Sequence, residues 1–171
     1  MSEVSPDIPD WGRERKQPFA WQPSRALLAA IRDYQRHLES RNPLSFLLKK
    51  WAVLRHRLWS VLTGADIPIN SSIGGGLLLP HPNGVVIHPD ARIGPNCLVF
   101  QQVTIGTRGR PGAPRIGGHV DIGAGAKILG DVTIGDHALI GANAVVLTDV
   151  PAHCMAVGVP AVVKPIPKEI D

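Results

Sequence analysis

Several things are scarce in this chain, and each scarcity narrows what it can be. Only two cysteines occur in 171 residues, Cys97 and Cys154, and neither stands in a CxxC pair. That pattern predicts a reduced chain in a cytoplasmic setting. No apolar run reaches bilayer-spanning length, and the first residues carry no hydrophobic signal core. The formal net charge is only +4, which suits a polyanionic small molecule and is too weak to argue for nucleic acid. No nucleic-acid-binding motif, phosphate-binding Walker loop or dinucleotide-binding glycine fingerprint is present. None of the seven histidines has HExxH or comparable spacing, so no metal site is expected. A zinc trimer would need ligands converging from three chains. Aromatic residues make up only 5%, as expected of an interior too narrow for rings.

What the chain has instead is glycine, proline and a period. Eighteen Gly and sixteen Pro would suggest disorder if they were scattered, but most of the Gly follows a repeat. Aliphatic residues recur at every sixth position: Ile67, Ile73, Leu79; then Ile87, Ile93, Val99, Ile105; then Ile116, Ile122, Ile128, Ile134, Ile140, Val146. Six fits neither helical nor strand spacing and is the signature of a parallel β-helix. Each hexapeptide supplies a short strand and a turn, three make a coil, and the aliphatic side chain points inward. The following Gly turns a corner that a Cβ would crowd. The register slips twice, by two residues around Pro80-His81-Pro82-Asn83-Gly84 and by five within Thr107–Arg115. Insertions in a solenoid bulge outward and often build its site.

Residues 1–64 read as an arm and two helices, 65–163 as the β-helix, and 164–171 as a tail. The arm to Gln22 is Pro-rich and expected to be irregular or partly mobile. Its Trp11, Phe19 and Trp21 suggest docking on a neighbour. Pro23–Leu38 has helical spacing at Leu27, Ile31, Tyr34 and Leu38. Ser45–Leu62 predicts a second helix capped by Ser45, with an apolar stripe at Leu47, Trp51, Leu54, Leu58 and Val61 beside Lys49, Lys50, Arg55 and Arg57. This helix is expected to cap the first coil and pack on a neighbouring subunit. The alternative is weak contact with a membrane surface through residues 45–62. The chain is expected to leave the prism near Val150-Pro151.

His81 stands out because it interrupts the register. Asp66 lies fifteen residues earlier, nearly one coil, which places the two close together. A carboxylate that fixes a histidine tautomer makes a general-base pair. Equally, Asp66 can simply cap the entry to the first coil. His88 reads as structural, His119 and His137 as ordinary turn residues, and His37 and His56 as helix residues. Arg108, Arg110 and Arg115 suit phosphates, or form a solvated basic loop. Lys127 and Lys164 add positive charge further along.

The segments DIPINSSIGGGLLLPHPNGVVI, VTIG, DIGAGAKILGDVTIG, IGANAVVLTDVP and GVPA resemble the serine acetyltransferase family of hexapeptide-repeat acyltransferases. The resemblance covers about Asp66 to Val163. It implies a mainly β fold, a left-handed parallel β-helix with a short N-terminal α-helical segment. The left hand would be an exception to the usual right-handed crossover. It further implies a homotrimer with acetyl-CoA, a co-substrate and not a bound cofactor, lying between two subunits. His81 would be the general base and Asp66 its orienting partner. Acetyl-CoA is expected against Gly106, Thr107, Arg108, Arg115, Ala124, Ala126, Lys127 and Lys164, and the acceptor against Pro80, Arg110 and Ala113.

The chain departs from the family pattern. Pro80 replaces the Asp that usually precedes the catalytic His. The family loop GDRHPKI becomes the shorter PGAPRI, so its acceptor-holding Arg and second His fall on Gly112 and Ala113. L-serine is the expected acceptor, with a sugar hydroxyl as the alternative. A non-catalytic trimeric scaffold is the rival that the presence of His81 and Asp66 opposes. The short helical segment favours a simple trimer over the family hexamer. Family tails that dock into cysteine synthase end in Ile, and the closing Ile170-Asp171 argues against that complex.

Overall fold

The computed structural model describes residues 4–17, 19–40, 42–109 and 111–167. Arg110 and Ile170-Asp171, singled out above, lie outside them. Helix α1 spans Pro23–Arg36 and α2 spans Pro43–Thr63. The cap of α2 is Asn42, not Ser45. Its side chain accepts the Leu44 N–H at 2.9 Å, and Pro43 supplies a first-turn residue with no N–H to satisfy. Gly64 ends the helix in the left-handed region, at φ 66°. Asn42→Ala should lower stability by about 1 kcal/mol, read from the urea midpoint.

The first coil is closed by α1, not by α2. Leu27, Leu28 and Ile31 of α1 enter the main hydrophobic core, whereas α2 contributes a partly buried Trp59. The buried residues of α2 are Ser45, Ala52 and Thr63, and its predicted apolar stripe points outward. Polar contacts help to fix α2 in place. Arg55 pairs with Asp33 at 2.7 Å, and His56 Nε2 meets the Ile67 carbonyl at 2.8 Å.

Strands follow in coil order. β1 (Ser72–Ile73) belongs to the first coil. β2 (Val86–Ile87), β3 (Arg92–Ile93) and β4 (Leu98–Val99) form the second. β5 (Thr104–Gly106), β6 (Arg115–Ile116) and β7 (Asp121–Ile122) form the third. β8 (Lys127–Leu129), β9 (Thr133–Ile134) and β10 (Leu139–Ile140) form the fourth. β11 (Val145–Val146) and β12 (Cys154–Val157) belong to the fifth, and β13 (Val162–Pro165) turns back antiparallel on β12.

Stacked coils make three sheets. The first face is β2-β5-β8-β11, the second β1-β3-β6-β9, and the third β4-β7-β10-β12-β13. Every pairing except β12 with β13 is parallel. Isolated bridges Asp66–Val86, Leu78–Leu98 and Ile134–Val150 complete the end coils. The in-register aliphatics are buried as the six-residue spacing predicts; Ile105, Ile122 and Ile128 are fully enclosed. The prism does not end near Val150-Pro151. Met155 and Ala156 still pair in register with Leu139 and Ile140.

The corner between the second and third faces carries residues at positive φ: Gly76, Asn96, His119, His137 and His153. Asn tolerates this region best after Gly. Buried Asn96 also holds the arm: its side chain accepts the Asp10 N–H and donates to the Ser5 and Ile8 carbonyls. Farther along, Glu14 accepts from the Leu77 N–H and pairs with Arg32 at 2.9 Å, while Arg32 reaches the Ile73 and Gly74 carbonyls. The arm is thus docked on its own chain, with Trp11 packed against Gly75.

Candidate active site

Both register breaks border the same sheet. Strand partners lie 18 residues apart where the period holds, as Lys127 with Val145. The interval is 20 across the first break, Asp66 with Val86, and 23 across the second, Thr104 with Lys127. The Pro80–Gly84 insertion lies at the corner entering the first face, and the Thr107–Pro114 insertion at the corner leaving it. Asp66, Val86, Thr104, Lys127 and Val145 stand in register along this face.

The first insertion is fastened to the strand that carries Asp66. Gly84 N–H donates to the Gly64 carbonyl at 2.9 Å, Asp66 N–H to Val85, and Ile87 N–H back to Asp66. His81 and Asp66 are both exposed. Within this single chain, among the described residues, no hydrogen bond or ion pair joins them. Their side chains are therefore open to solvent and to a ligand, and the main chain of Asp66 is committed to the ladder.

The second insertion is shaped by Gly112, at φ 123°, where a Cβ would run into Asp131. Only glycine suits that backbone, so the shortened loop has no place for an arginine at this position. Arg115 pairs with Asp131 at 2.8 Å across the same corner. Ala113 is buried in the core and presents nothing to an acceptor. Ala126 is also fully buried, and its N–H and C=O are both used by the backbone; a ligand can meet only its neighbours. Ala124 is half-buried at the corner entering the first face. Gly106 accepts from the Gly130 N–H, with Thr107 and Arg108 exposed beyond it.

Lys127 is anchored: its Nζ donates to the Gln102 carbonyl at 2.6 Å and the Thr104 hydroxyl at 3.1 Å. A third N–H remains for an anion. Lys164 does not join this group. It sits on β13, at the end of the third face. His88 is structural, its Nδ1 accepting the Asp90 N–H at 3.2 Å.

Sequence reasoning passed over the anchoring of Lys127, which strand spacing alone could have suggested, since Thr104 and Lys127 fall in one column. It also passed over the histidine column: His119 and His137 meet Nδ1 to Nδ1 at 2.9 Å, and His137 stacks on His153 at 4.8 Å between ring centres. Cys97 is fully buried, and burial pushes its thiol up to about 11, the setting of a structural cysteine.

Asp121 lies between Leu98 and Leu139 on the third face. Burial raises its pKa, partly opposed by His119 and Arg13. A carboxyl raised in the fold holds its proton more tightly there than in the unfolded chain. Its ionisation therefore costs stability above the ordinary value of 3.8, and the cost vanishes below it. Asp121→Asn should raise the melting temperature at neutral pH, with the gain disappearing below pH 3.8.

Residues 113–148 match the family model described as bacterial transferase hexapeptide (six repeats). A serine acetyltransferase of Synechococcus elongatus is 42% identical over 113 residues, 64% of this chain and 46% of that protein. The soybean serine acetyltransferase complexed with serine superposes with a TM-score of 0.62 at 33% identity, covering 81% of this chain and 70% of that one. The Brucella abortus serine acetyltransferase gives 0.73 at 30% identity, covering 87% and 59%. The chain spans about half the length of the curated relatives it matches first. At 33% identity over 70% of the soybean enzyme's length, the likeness is decisive: this chain belongs to the serine acetyltransferase family of hexapeptide-repeat transferases.

Proposed function

We propose that this protein transfers the acetyl group of acetyl-CoA to the hydroxyl of L-serine, forming O-acetyl-L-serine for cysteine synthesis in the cytoplasm. The observation that supports this reading is that both register breaks flank one face, with Asp66 in register along that face and His81 in the turn at its entering corner. His81 takes the serine hydroxyl proton as the oxygen attacks the thioester carbon. Backbone N–H groups beside the turn stabilise the oxyanion. Collapse of the tetrahedral intermediate breaks the C–S bond, and the departing thiolate recovers the proton from His81. Asp66 orients the imidazole and stabilises its charged form. Acetyl-CoA is a co-substrate that leaves as CoA; Lys127, Arg108 and Arg115 supply charge for its phosphates, beside Gly106, Thr107 and Ala124.

The prism is left-handed in this reading, residues 65–163 are the acyltransferase unit, and three copies assemble. Support for the trimer is the third face, whose outward column reads Leu78, Leu98, Asp121, Leu139 and Met155. A neighbour covering that apolar column would bring its own surface beside the adjoining first face and enclose the ligands.

The second reading is a sugar hydroxyl as acceptor. It is favoured by the glycine-dependent turn at Gly112 and the burial of Ala113, where the family holds its amino acid. Free-thiol release from acetyl-CoA, measured with serine and separately with glycans, decides between them. Release that depends on serine supports the first reading; release that depends only on a glycan replaces serine as acceptor.

A further inference from the structure

The outward face of α2 has no role in the chemistry above, and its composition is one-sided. Leu44, Leu47, Trp51, Leu54, Leu58 and Val61 are spaced alternately by three and four residues, and each is more than half exposed. Leu48 and Leu62 widen the face. An exposed patch of this size on one helix marks an interaction site. The helix contains no Asp or Glu. At 3.6 residues per turn, Lys50 and Arg57 fall along one border of the apolar arc. Lys50 lies over the Phe46 ring at 5.3 Å. Arg57 is exposed and makes no ion pair among the described residues. Along the other border Trp59 meets Trp21 edge-on at 5.8 Å, and Lys16 Nζ lies 5.9 Å from the Trp59 ring centre. Trp21 is itself 75% exposed.

We infer that this face docks on an anionic phospholipid surface. Leucines and tryptophan enter the boundary between headgroups and acyl chains, with tryptophan suited to that depth. The border lysines and arginine remain at headgroup level, their stems along the apolar face. Each cation near such a surface adds attraction that salt weakens. The three-four spacing would also suit a second copy of α2. Antiparallel pairing of two copies, however, would set the Lys50 and Arg57 border against its own counterpart, cation against cation, whereas lipid phosphates neutralise both.

The full chain should sediment with mixed phosphatidylglycerol–phosphatidylcholine vesicles, and far less with pure phosphatidylcholine. Lys50→Glu with Arg57→Glu should weaken that binding by at least roughly tenfold, and Trp51→Glu should abolish it. Circular dichroism melts check that each variant folds; the surface charge pair keeps the test decisive if Trp51→Glu does not. Absence of binding to anionic vesicles overturns the inference, as does equal binding to neutral ones or indifference to the charge reversal. Light scattering adds a third contrary result: a wild type that ignores vesicles while Trp51→Glu lowers its oligomer mass would mean a second copy covers the face. None of these results depends on acetyl transfer.

Discussion

His81→Ala lowers acetyl transfer by roughly 10²–10⁴-fold, the usual worth of a general base, while the fold persists. The fold is insensitive because the His81 side chain is exposed and takes no part in the ladder that fastens its turn. The loss should appear in kcat, since abstraction of the hydroxyl proton belongs to the transition state and not to ground-state binding. Asp66→Asn should cost less than His81→Ala. It keeps the main-chain bonds to Val85 and Ile87 and removes only the charge proposed to orient the imidazole. Free-thiol release under saturating acetyl-CoA gives both numbers. Full turnover by His81→Ala would sink the mechanism and leave the fold assignment untouched.

Ile128→Ala should destabilise the protein by about 2–5 kcal/mol. Ile128 is completely buried on β8, paired with Ile105 on one side and Val146 on the other. Truncation leaves a void inside a stack whose strand spacing is fixed by hydrogen bonds on all three faces. The neighbours cannot collapse into it without breaking ladder bonds such as Lys127 N–H to the Ala144 carbonyl. Chemical denaturation read by circular dichroism measures the difference. A loss under 1 kcal/mol would mean that the coils are softer than the ladder implies.

The prism was legible because its signal is one-dimensional. A six-residue period with inward aliphatics needs no long-range information, and the two slips measured in the sequence reappear as longer strand intervals at the same places. The fifteen-residue spacing of Asp66 and His81, nearly one coil, was readable too: the turn that carries His81 is fastened to the strand that carries Asp66, while no hydrogen bond joins the two side chains among the described residues. What the sequence concealed depended on contacts that no period encodes. Closure of the first coil by α1 follows from which helix has small and aliphatic residues at Ala26, Leu27, Ala30 and Ile31, all buried. The stripe of α2 was read correctly as apolar, but periodicity cannot say whether a stripe meets its own core. The arm looked mobile because its proline content hides a partner 86 to 91 residues away, Asn96, whose corner conformation frees its side chain to bind main chain. The end of the prism was misplaced because Pro151 suggested a stop, although a proline at a corner donates to no ladder.

The most direct test is product analysis. The protein is incubated with acetyl-CoA and L-serine, and both the small molecules and the intact chain are weighed by mass spectrometry. The account predicts O-acetyl-L-serine and CoA in equal amounts, no acetyl adduct on the protein, and product nearly absent with His81→Ala. An acetylated enzyme intermediate, or no serine product while acetyl-CoA remains intact, would contradict it.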